Sequence, residues 1–118
     1  MTSLRILVVE DEPLVAMDMQ DVLEGLGMQV VGTAASLAEA LELAEAGGFD
    51  GAFLDVNLRG ERIDRVADRL ATAGIPFVFT TGQSMHGLPE AHRERPVLTK
   101  PFRDRDLTEA VRKHLGGG

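Results

Sequence analysis

The chain has 118 residues and a mass of 12.7 kDa, which suits one domain with one hydrophobic core and leaves no room for a second. Its hydrophobic fraction of 44% and charged fraction of 26% exclude a disordered or collagen-like chain. The absence of cysteine excludes disulfides and thiolate chemistry, and the net charge of −7 disfavours nucleic acid as the main partner.

Apolar runs in the chain are short, such as Ile6–Val9. None approaches the roughly 20 residues that a membrane-spanning helix needs. The start of the chain also lacks the basic, apolar and small-residue regions of a signal peptide. We therefore expect a cytoplasmic protein with no membrane partner.

Segments typical of strands and helices alternate along the first half of the chain. Leu4–Val9 predicts a first strand. Pro13–Leu26 has apolar residues at helical spacing and closes with glycines, which predicts a first helix. Gln29–Ala34 predicts a second strand. Ser36 as N-cap, with Glu39 at the capping-box position, then predicts a helix to about residue 46.

The same alternation continues through the second half. Further strands are predicted at Gly51–Leu54, Phe77–Thr80 and Val97–Thr99. Apolar residues at helical spacing predict a third helix, with Ile63, Val66, Ala67, Leu70 and Ala71 as its stripe, and a last helix with Leu107, Val111 and Leu115. Between the last two strands, the alternation of strands and helices predicts a fourth helix in the segment Ser84–Arg95, but Gly87 and Pro89 interrupt it. We expect a short or mobile helix there.

Five alternating strand and helix units predict an α/β fold with a parallel sheet and right-handed crossovers. In about 118 residues they suit a flavodoxin-like, doubly wound (βα)5 fold with strand order 2-1-3-4-5. In such sheets, ligands bind beyond the carboxyl ends of the strands. The residues that close each strand are therefore the candidates for a functional site.

Acidic residues close two strands that this order makes neighbours. Strand 1 ends in Glu10–Glu12 and strand 3 ends in Asp55. At least three carboxylates then lie close together, and they repel one another unless a cation lies between them. Hard carboxylate oxygens, with no cysteine or nearby histidine, favour Mg²⁺ or Mn²⁺. An acidic first turn also excludes a flavin or nucleotide loop, which needs neutral residues around phosphate.

Hydroxyl and ammonium groups close the other two strands. Strand 4 ends in Thr80–Gly82 and strand 5 in Thr99–Pro101. Ten of the twelve basic residues are arginine, yet Lys100 stands at this strand end. A compact ammonium suits a narrow acidic pocket that must also admit a phosphoryl oxygen. Alternation along the strand separates Thr80 from Thr81, and the adjacent glycine favours Thr81 as the hydroxyl that donates to the same group.

This set of strand ends resembles the receiver domain of two-component response regulators, and the resemblance covers essentially the whole chain, residues 1–118. It implies that Asp55 accepts a phosphoryl group from the phosphohistidine of a histidine kinase or phosphotransfer protein. It also implies that Thr81 and Lys100 bind the phosphoryl oxygens and report the arrival of the group. A carboxylate nucleophile with a metal and a nearby cation agrees with the chemistry of phosphoryl transfer.

The same resemblance implies a set of metal ligands. Asp11 and Asp55 would bind Mg²⁺ directly, together with the backbone carbonyl of Asn57. Glu10 would contact the metal through water. The cofactor expected from both the residues and the resemblance is therefore Mg²⁺, with Mn²⁺ as the alternative.

One subgroup of receivers fits more closely. Pro76–Gly82 resembles the Pro-Phe-x-Phe-x-Thr-Gly signature of an alphaproteobacterial group of often stand-alone receivers. That resemblance implies kinases of the HWE or second histidine-kinase class as partners. Two residues depart from the usual patterns. Gln83 stands where the group often has an aromatic residue, and Val97 stands where most receivers have a switching aromatic residue.

We therefore predict a single-domain response regulator, a phosphoacceptor switch rather than an enzyme with turnover. Its signal passes by contact with a downstream protein, or the chain acts as a phosphate sink or shuttle. Two alternatives stay open. A degenerate receiver would serve as a phosphorylation-independent binding module. A Mg²⁺-dependent phosphatase of the haloacid dehalogenase type would place its nucleophile after strand 1 as Asp-x-Asp, and here that strand ends in Glu10–Glu12.

Residues outside these strand ends are interpreted as structural. His86, His92 and His114 lack metal-ligand spacing and are predicted to lie on the surface. On the first helix, Met17 is predicted in the core and Met19 exposed. The arginines near the third helix are predicted to form a solvated face rather than a nucleic-acid patch.

Overall fold

A computed structural model describes residues 4–82 and 88–115 of the chain. The strands are β1 (Arg5–Val9), β2 (Gln29–Ala34), β3 (Gly51–Asp55), β4 (Asn57–Leu58), β5 (Glu61–Arg62), β6 (Phe77–Thr81) and β7 (Val97–Thr99). The helices are α1 (Pro13–Gly25), α2 (Leu37–Ala46), α3 (Asp64–Thr72) and α4 (Asp104–Ala110), which continues as a π-helical turn over Val111–Leu115. A 3₁₀ turn covers Glu90–His92.

Five parallel strands form the main sheet in the order β2-β1-β3-β6-β7. This arrangement is the predicted order 2-1-3-4-5, because β4 and β5 pair with each other outside the main sheet. The flavodoxin-like α/β prediction is confirmed. The predicted N-cap is confirmed, since the Glu39 N–H donates to the Ser36 hydroxyl at the start of α2. The Glu39 carboxylate accepts from the Ala35 N–H rather than from the Ser36 N–H, so the box itself is only half formed.

Sequence reasoning missed the antiparallel hairpin of β4 and β5. Asn57 pairs with Arg62, and Leu58 pairs with Glu61. The two residues between them have positive φ angles, 51° at Arg59 and 85° at Gly60. A two-residue turn with both φ positive matches the right-handed twist of a hairpin. The pair Arg59-Gly60 was the only sign of this hairpin in the sequence. It is a weak sign, because Asn or Asp usually precedes the glycine in such turns.

Apolar side chains pack on both faces of the sheet, as the alternation within each strand requires. Leu7 and Val9 of β1 face the core shared with α2 and α3. Ile6 and Val8 face the core shared with α1 and the C-terminal helix. Phe53 is fully buried in this second core. The central strands β3 and β6 are buried at every position, so their carboxyl ends are rigid supports for a site.

The predicted placement of the two methionines on α1 was wrong. Met19 is fully buried, and the side chain of Met17 is 60% exposed. Met19 and Leu23 are one helical turn apart and face the sheet together. Met17 lies two residues before Met19, which turns it to the opposite side of the helix, where Leu14 is also exposed.

The histidine predictions have different outcomes. His114 is exposed, as predicted. His92 is buried, so its prediction as a surface residue was wrong, and its Nε2 lies 2.7 Å from Asp68 Oδ1. The Phe77 ring packs edge-on against the His92 ring. His86 lies outside the described residues, as does the whole first part of the interrupted segment, residues 84–87. The described remainder of that segment contains the single 3₁₀ turn.

Within residues 4–82 and 88–115, no helix combines the length and the apolar character needed to cross a membrane.

Candidate functional site at the carboxyl ends of the strands

Four charged side chains from three strand ends converge at one edge of the sheet. Glu10 follows β1, Asp55 closes β3, and Lys100 follows β7. The Lys100 ammonium Nζ lies 2.9 Å from Glu10 Oε1 and 3.1 Å from Asp55 Oδ2. Glu10 and Asp55 are 2% and 4% exposed, respectively. Asp11, half-buried, completes the group next to Glu10.

The three carboxylates can hold a metal ion. One oxygen each from Glu10, Asp11 and Asp55 lies within 4.8 Å of the other two. Oxygens bound to one Mg²⁺ ion at about 2.1 Å are at most about 4.2 Å apart, so small side-chain rotations suffice to close the set. Glu10 Oε1 is buried, and within the described part of the chain it has the Lys100 ammonium at 2.9 Å but no aligned hydrogen bond. Hard oxygens, one of them buried without an aligned hydrogen bond, fit a divalent cation or its bound water.

Burial controls the charge state of the site. Desolvation raises the pKa of Glu10 to about 7, although hydrogen bonds from Lys100 and the Glu12 N–H lower it, and the nearby Asp55 charge raises it again. Desolvation also lowers the pKa of Lys100, but its hydrogen bonds to Glu10 and Asp55 outweigh that effect and leave the pKa above its ordinary value. Lys100 therefore stays protonated at neutral pH.

The β4–β5 hairpin organises the acidic residues through backbone N–H groups. The Asn57 N–H donates to Asp55 Oδ1 at 3.0 Å. The Arg59 N–H donates to Asp11 Oδ2 at 3.2 Å. The Asn57 side chain accepts from the Gly60 N–H at 2.9 Å and so holds the turn. Two of the three carboxylates are thereby oriented by an element that sequence reasoning did not predict.

The two threonines at the end of β6 are both buried and have different surroundings. Thr80 is in register with Asp55, so alternation places its side chain on the Asp55 face of the sheet. Thr81 is in register with Thr99, and its carbonyl accepts from the Lys100 N–H at 2.7 Å. The peptide bond between Lys100 and Pro101 is cis.

A cleft of about 480 Å³ lies beside the charged group. Its lining includes Leu14 and Val15 from the start of α1, and Lys100, Pro101 and Phe102 after β7. The cleft joins the site to the exposed apolar side chain of Leu14, which is 80% accessible.

Comparison with known proteins agrees with this arrangement. The chain is 34% identical over 116 residues to the phyllosphere-induced regulator PhyR of Methylorubrum extorquens, covering 94% of this chain and 43% of that protein. It is 35% identical over 111 residues to the transcriptional regulatory protein PdtaR of Mycobacterium tuberculosis, covering 91% of this chain and 54% of that protein. The chain thus spans about half the length of the curated relatives it matches.

One solved structure matches this chain over nearly the full length of both proteins. The solution structure of SdrG from Sphingomonas melonis Fr1 is 48% identical and superposes with a TM-score of 0.85, covering 95% of this chain and 97% of that one. The family described as the response regulator receiver domain matches residues 6–112. That range contains both ends of the charged group, from Glu10 to Lys100. The chain belongs to the response regulator receiver domain family of two-component systems.

Proposed function

We propose that this chain is a phosphoacceptor switch in which Asp55 receives a phosphoryl group from the phosphohistidine of a histidine kinase or phosphotransfer protein. The observation that carries the proposal is the buried Asp55 carboxylate, held between the Lys100 ammonium and two further carboxylates in a receiver domain. A carboxylate nucleophile of this kind forms a covalent phosphoryl intermediate.

In the proposed step, an Asp55 carboxylate oxygen attacks phosphorus and forms an O–P bond. The P–N bond of the phosphohistidine breaks, and the imidazole nitrogen leaves with its electron pair. Phosphoryl transfer depends on positioning and charge neutralisation more than on covalent help from the protein. Asn57, through its N–H, orients the carboxylate from one side, and Lys100 does so from the other.

The residues would divide into metal ligands and phosphoryl ligands. Asp11 and Asp55 would hold Mg²⁺ with the Asn57 carbonyl, and Glu10 would act through water. Bound Mg²⁺ supplies positive charge to the oxygens of the transferring group. The three carboxylates with hard oxygens that lie close together support this assignment, with Mn²⁺ as an alternative ion.

Lys100 and Thr81 would bind the phosphoryl oxygens. Transfer turns the Asp55 carboxylate into an acyl phosphate and adds charged acceptor oxygens next to Lys100. Lys100 then exchanges its contact with Asp55 for the phosphoryl group. Because the Lys100 N–H is bonded to the Thr81 carbonyl, a movement of one residue is transmitted to the other strand end.

The output of this switch would be a contact with another protein, or the chain would serve as a phosphate sink or shuttle. No sustained turnover is expected, only autophosphorylation and autodephosphorylation. The narrower kinase class, HWE or second histidine-kinase, follows from the Pro76–Gly82 motif and stays a prediction, as does a cytoplasmic location.

Intact-mass spectrometry after incubation with acetyl phosphate and Mg²⁺ tests the proposal. We expect one adduct of about 80 Da, the mass of a phosphoryl group. The adduct should be absent in Asp55→Asn and with excess EDTA. It should persist in Asp50→Asn, a matched control that removes an exposed carboxylate paired with Arg5.

Two outcomes would contradict the proposal. No adduct with acetyl phosphate or with a phosphorylated kinase would favour the phosphorylation-independent binding module. Sustained release of phosphate from small phosphomonoesters would favour a phosphatase, because a switch yields one adduct per chain.

A further inference from the structure

The side chain of Thr80 has a buried hydroxyl that the proposed site does not use. Thr80 is 1% exposed, and its Oγ1 has no hydrogen-bond partner in the described part of the chain. A buried hydroxyl normally has a partner, since leaving it unpaired destabilises the fold. Valine would fill the same space without burying an unpaired hydroxyl. Packing alone therefore does not explain why this position is a threonine.

Register places this hydroxyl on the face of the sheet that carries the site. Thr80 pairs with Asp55 on one side and with Leu98 on the other. Val78, two residues earlier on β6, packs in the same core as Phe53 and Leu98. Because side chains of a strand alternate with a period of two, Thr80 points to the same side as the residues two positions after Phe53 and Leu98. Those residues are Asp55 and Lys100.

The Lys100 side chain must cross β6 to reach its partners. Lys100 follows β7, and its ammonium binds Asp55 on β3 and Glu10 after β1. In the sheet order, β6 lies between β7 and β3. On this face, the last residue of β6 is Thr80, which is level with Asp55, the residue that the Lys100 ammonium reaches across β6.

The Lys100 ammonium lies close to three carboxylate oxygens but forms aligned hydrogen bonds with two of them. Lys100 Nζ carries three N–H groups and donates to Glu10 Oε2 and Asp55 Oδ2, both at 3.1 Å. Glu10 Oε1 is 2.9 Å away but is not oriented as a hydrogen-bond acceptor. Within the described residues, the Thr80 hydroxyl thus has no partner, and the Lys100 ammonium, which forms two aligned hydrogen bonds, lies on the same face of the sheet.

We propose that Thr80 is a positioning residue for Lys100. Its hydroxyl oxygen accepts a hydrogen bond from the Lys100 ammonium, directly or through one buried water, during phosphoryl transfer to Asp55. This inference rests on the proposed function. Transfer changes the Asp55 carboxylate into a weaker acceptor, so Lys100 must turn towards the phosphoryl oxygens. A hydroxyl beneath the ammonium keeps it in place while its partners change.

Thr80→Val tests the inference, since it keeps the branched shape and removes the hydroxyl. We expect acetyl phosphate to label this variant about tenfold more slowly than the wild type, the effect of losing one hydrogen bond to a charged group. Its resistance to urea should be unchanged or higher, because an unpaired buried hydroxyl is gone. Thr80→Ser should restore the rate. The matched control is Thr99→Val, which removes an exposed hydroxyl beside Lys100.

A double-mutant cycle separates positioning from a merely structural role. In a Lys100→Ala background, Thr80→Val should cause no further loss of rate, because the residue through which Thr80 acts is absent. Equal labelling of wild type and Thr80→Val overturns the inference, as does the same loss in both backgrounds. If Thr80→Val does not fold, the comparison is made with Thr80→Ala and Thr80→Ser. A wild-type chain that takes no adduct overturns the proposed function instead.

Discussion

Glu10 is the single residue in which burial and charge conflict most directly. Its carboxylate is 2% exposed, and burial raises its pKa to about 7 from an ordinary value of 4.5. Lys100 supplies the nearest positive charge, but it is shared with Asp55. Without a metal ion, the folded chain therefore takes up a proton on Glu10 at a pH where the unfolded chain does not.

This proton uptake gives the stability of the metal-free protein a predicted pH dependence. Between about pH 4.5 and 7 the native state binds more protons at Glu10 than the unfolded state, so this residue makes the free energy of unfolding fall as pH rises. Glu10→Gln removes the buried charge. In EDTA, we expect this variant to resist urea better than the wild type at pH 8, with the difference shrinking towards pH 4.5.

Urea unfolding at a series of pH values measures the effect, with Glu42→Gln as the control on the exposed side of α2. A constant difference between Glu10→Gln and the wild type from pH 4.5 to 8 would contradict the prediction. Added Mg²⁺ should reverse the order at pH 8, because an ion that binds only the native state stabilises it by mass action.

Among the secondary-structure elements, the short 3₁₀ turn Glu90–His92 is held in place by one buried side chain. The His92 ring contacts Phe77 edge-on, with centroids 5.7 Å apart. Its Nε2 lies 2.7 Å from Asp68 Oδ1 on α3. The Arg95 guanidinium lies 4.4 Å from the centroid of the same Phe77 ring. This turn is thus tied to both the sheet and α3.

We expect His92→Ala to lower the free energy of unfolding by about 2 kcal/mol, because it removes a buried ring and leaves a gap against Phe77. Asp68→Ala should cost less, since the Asp68 side chain is 65% exposed and water screens its pairing. Urea unfolding measures both variants, and His114→Ala serves as an exposed control. A loss in His92→Ala no larger than in His114→Ala would show that the turn does not depend on this contact.

For the whole molecule, stability depends on two apolar cores separated by one sheet. Phe53 lies in the core shared with α1 and the C-terminal helix, and it is fully buried. Gly51, at the start of the same strand, lets Leu115 approach closely, because a Cβ atom there would lie 3.1 Å from a Leu115 methyl group. The strand that carries Asp55 is therefore fixed by packing over its whole length.

Phe53→Ala should lower the free energy of unfolding by about 3–5 kcal/mol, through lost apolar burial and the cavity that remains. Domains of this size have a total of about 5–15 kcal/mol, so the variant would be close to unfolding. Urea denaturation in EDTA measures the loss. Phe102→Ala is the comparison at a half-buried position. Equal losses at the two positions would contradict the central place of Phe53.

Local patterns in the sequence were enough to predict the sheet, its order and the edge at which Glu10, Asp11, Asp55 and Lys100 meet. Strand alternation depends on neighbouring residues, and parallel crossovers allow few topologies. Carboxyl ends of parallel strands then lie together whatever the details of packing. The family match and the observed sheet confirm this part.

Other features depended on contacts between residues distant in the chain. The rotation of α1, which buries Met19 and exposes Met17, is set by how the helix lies on the sheet. The burial of His92 depends on Phe77 and Asp68, which belong to other elements. The sheet face of Thr80 depends on its register with Asp55. A periodicity determines which residues share a face, whereas packing in three dimensions determines what that face meets.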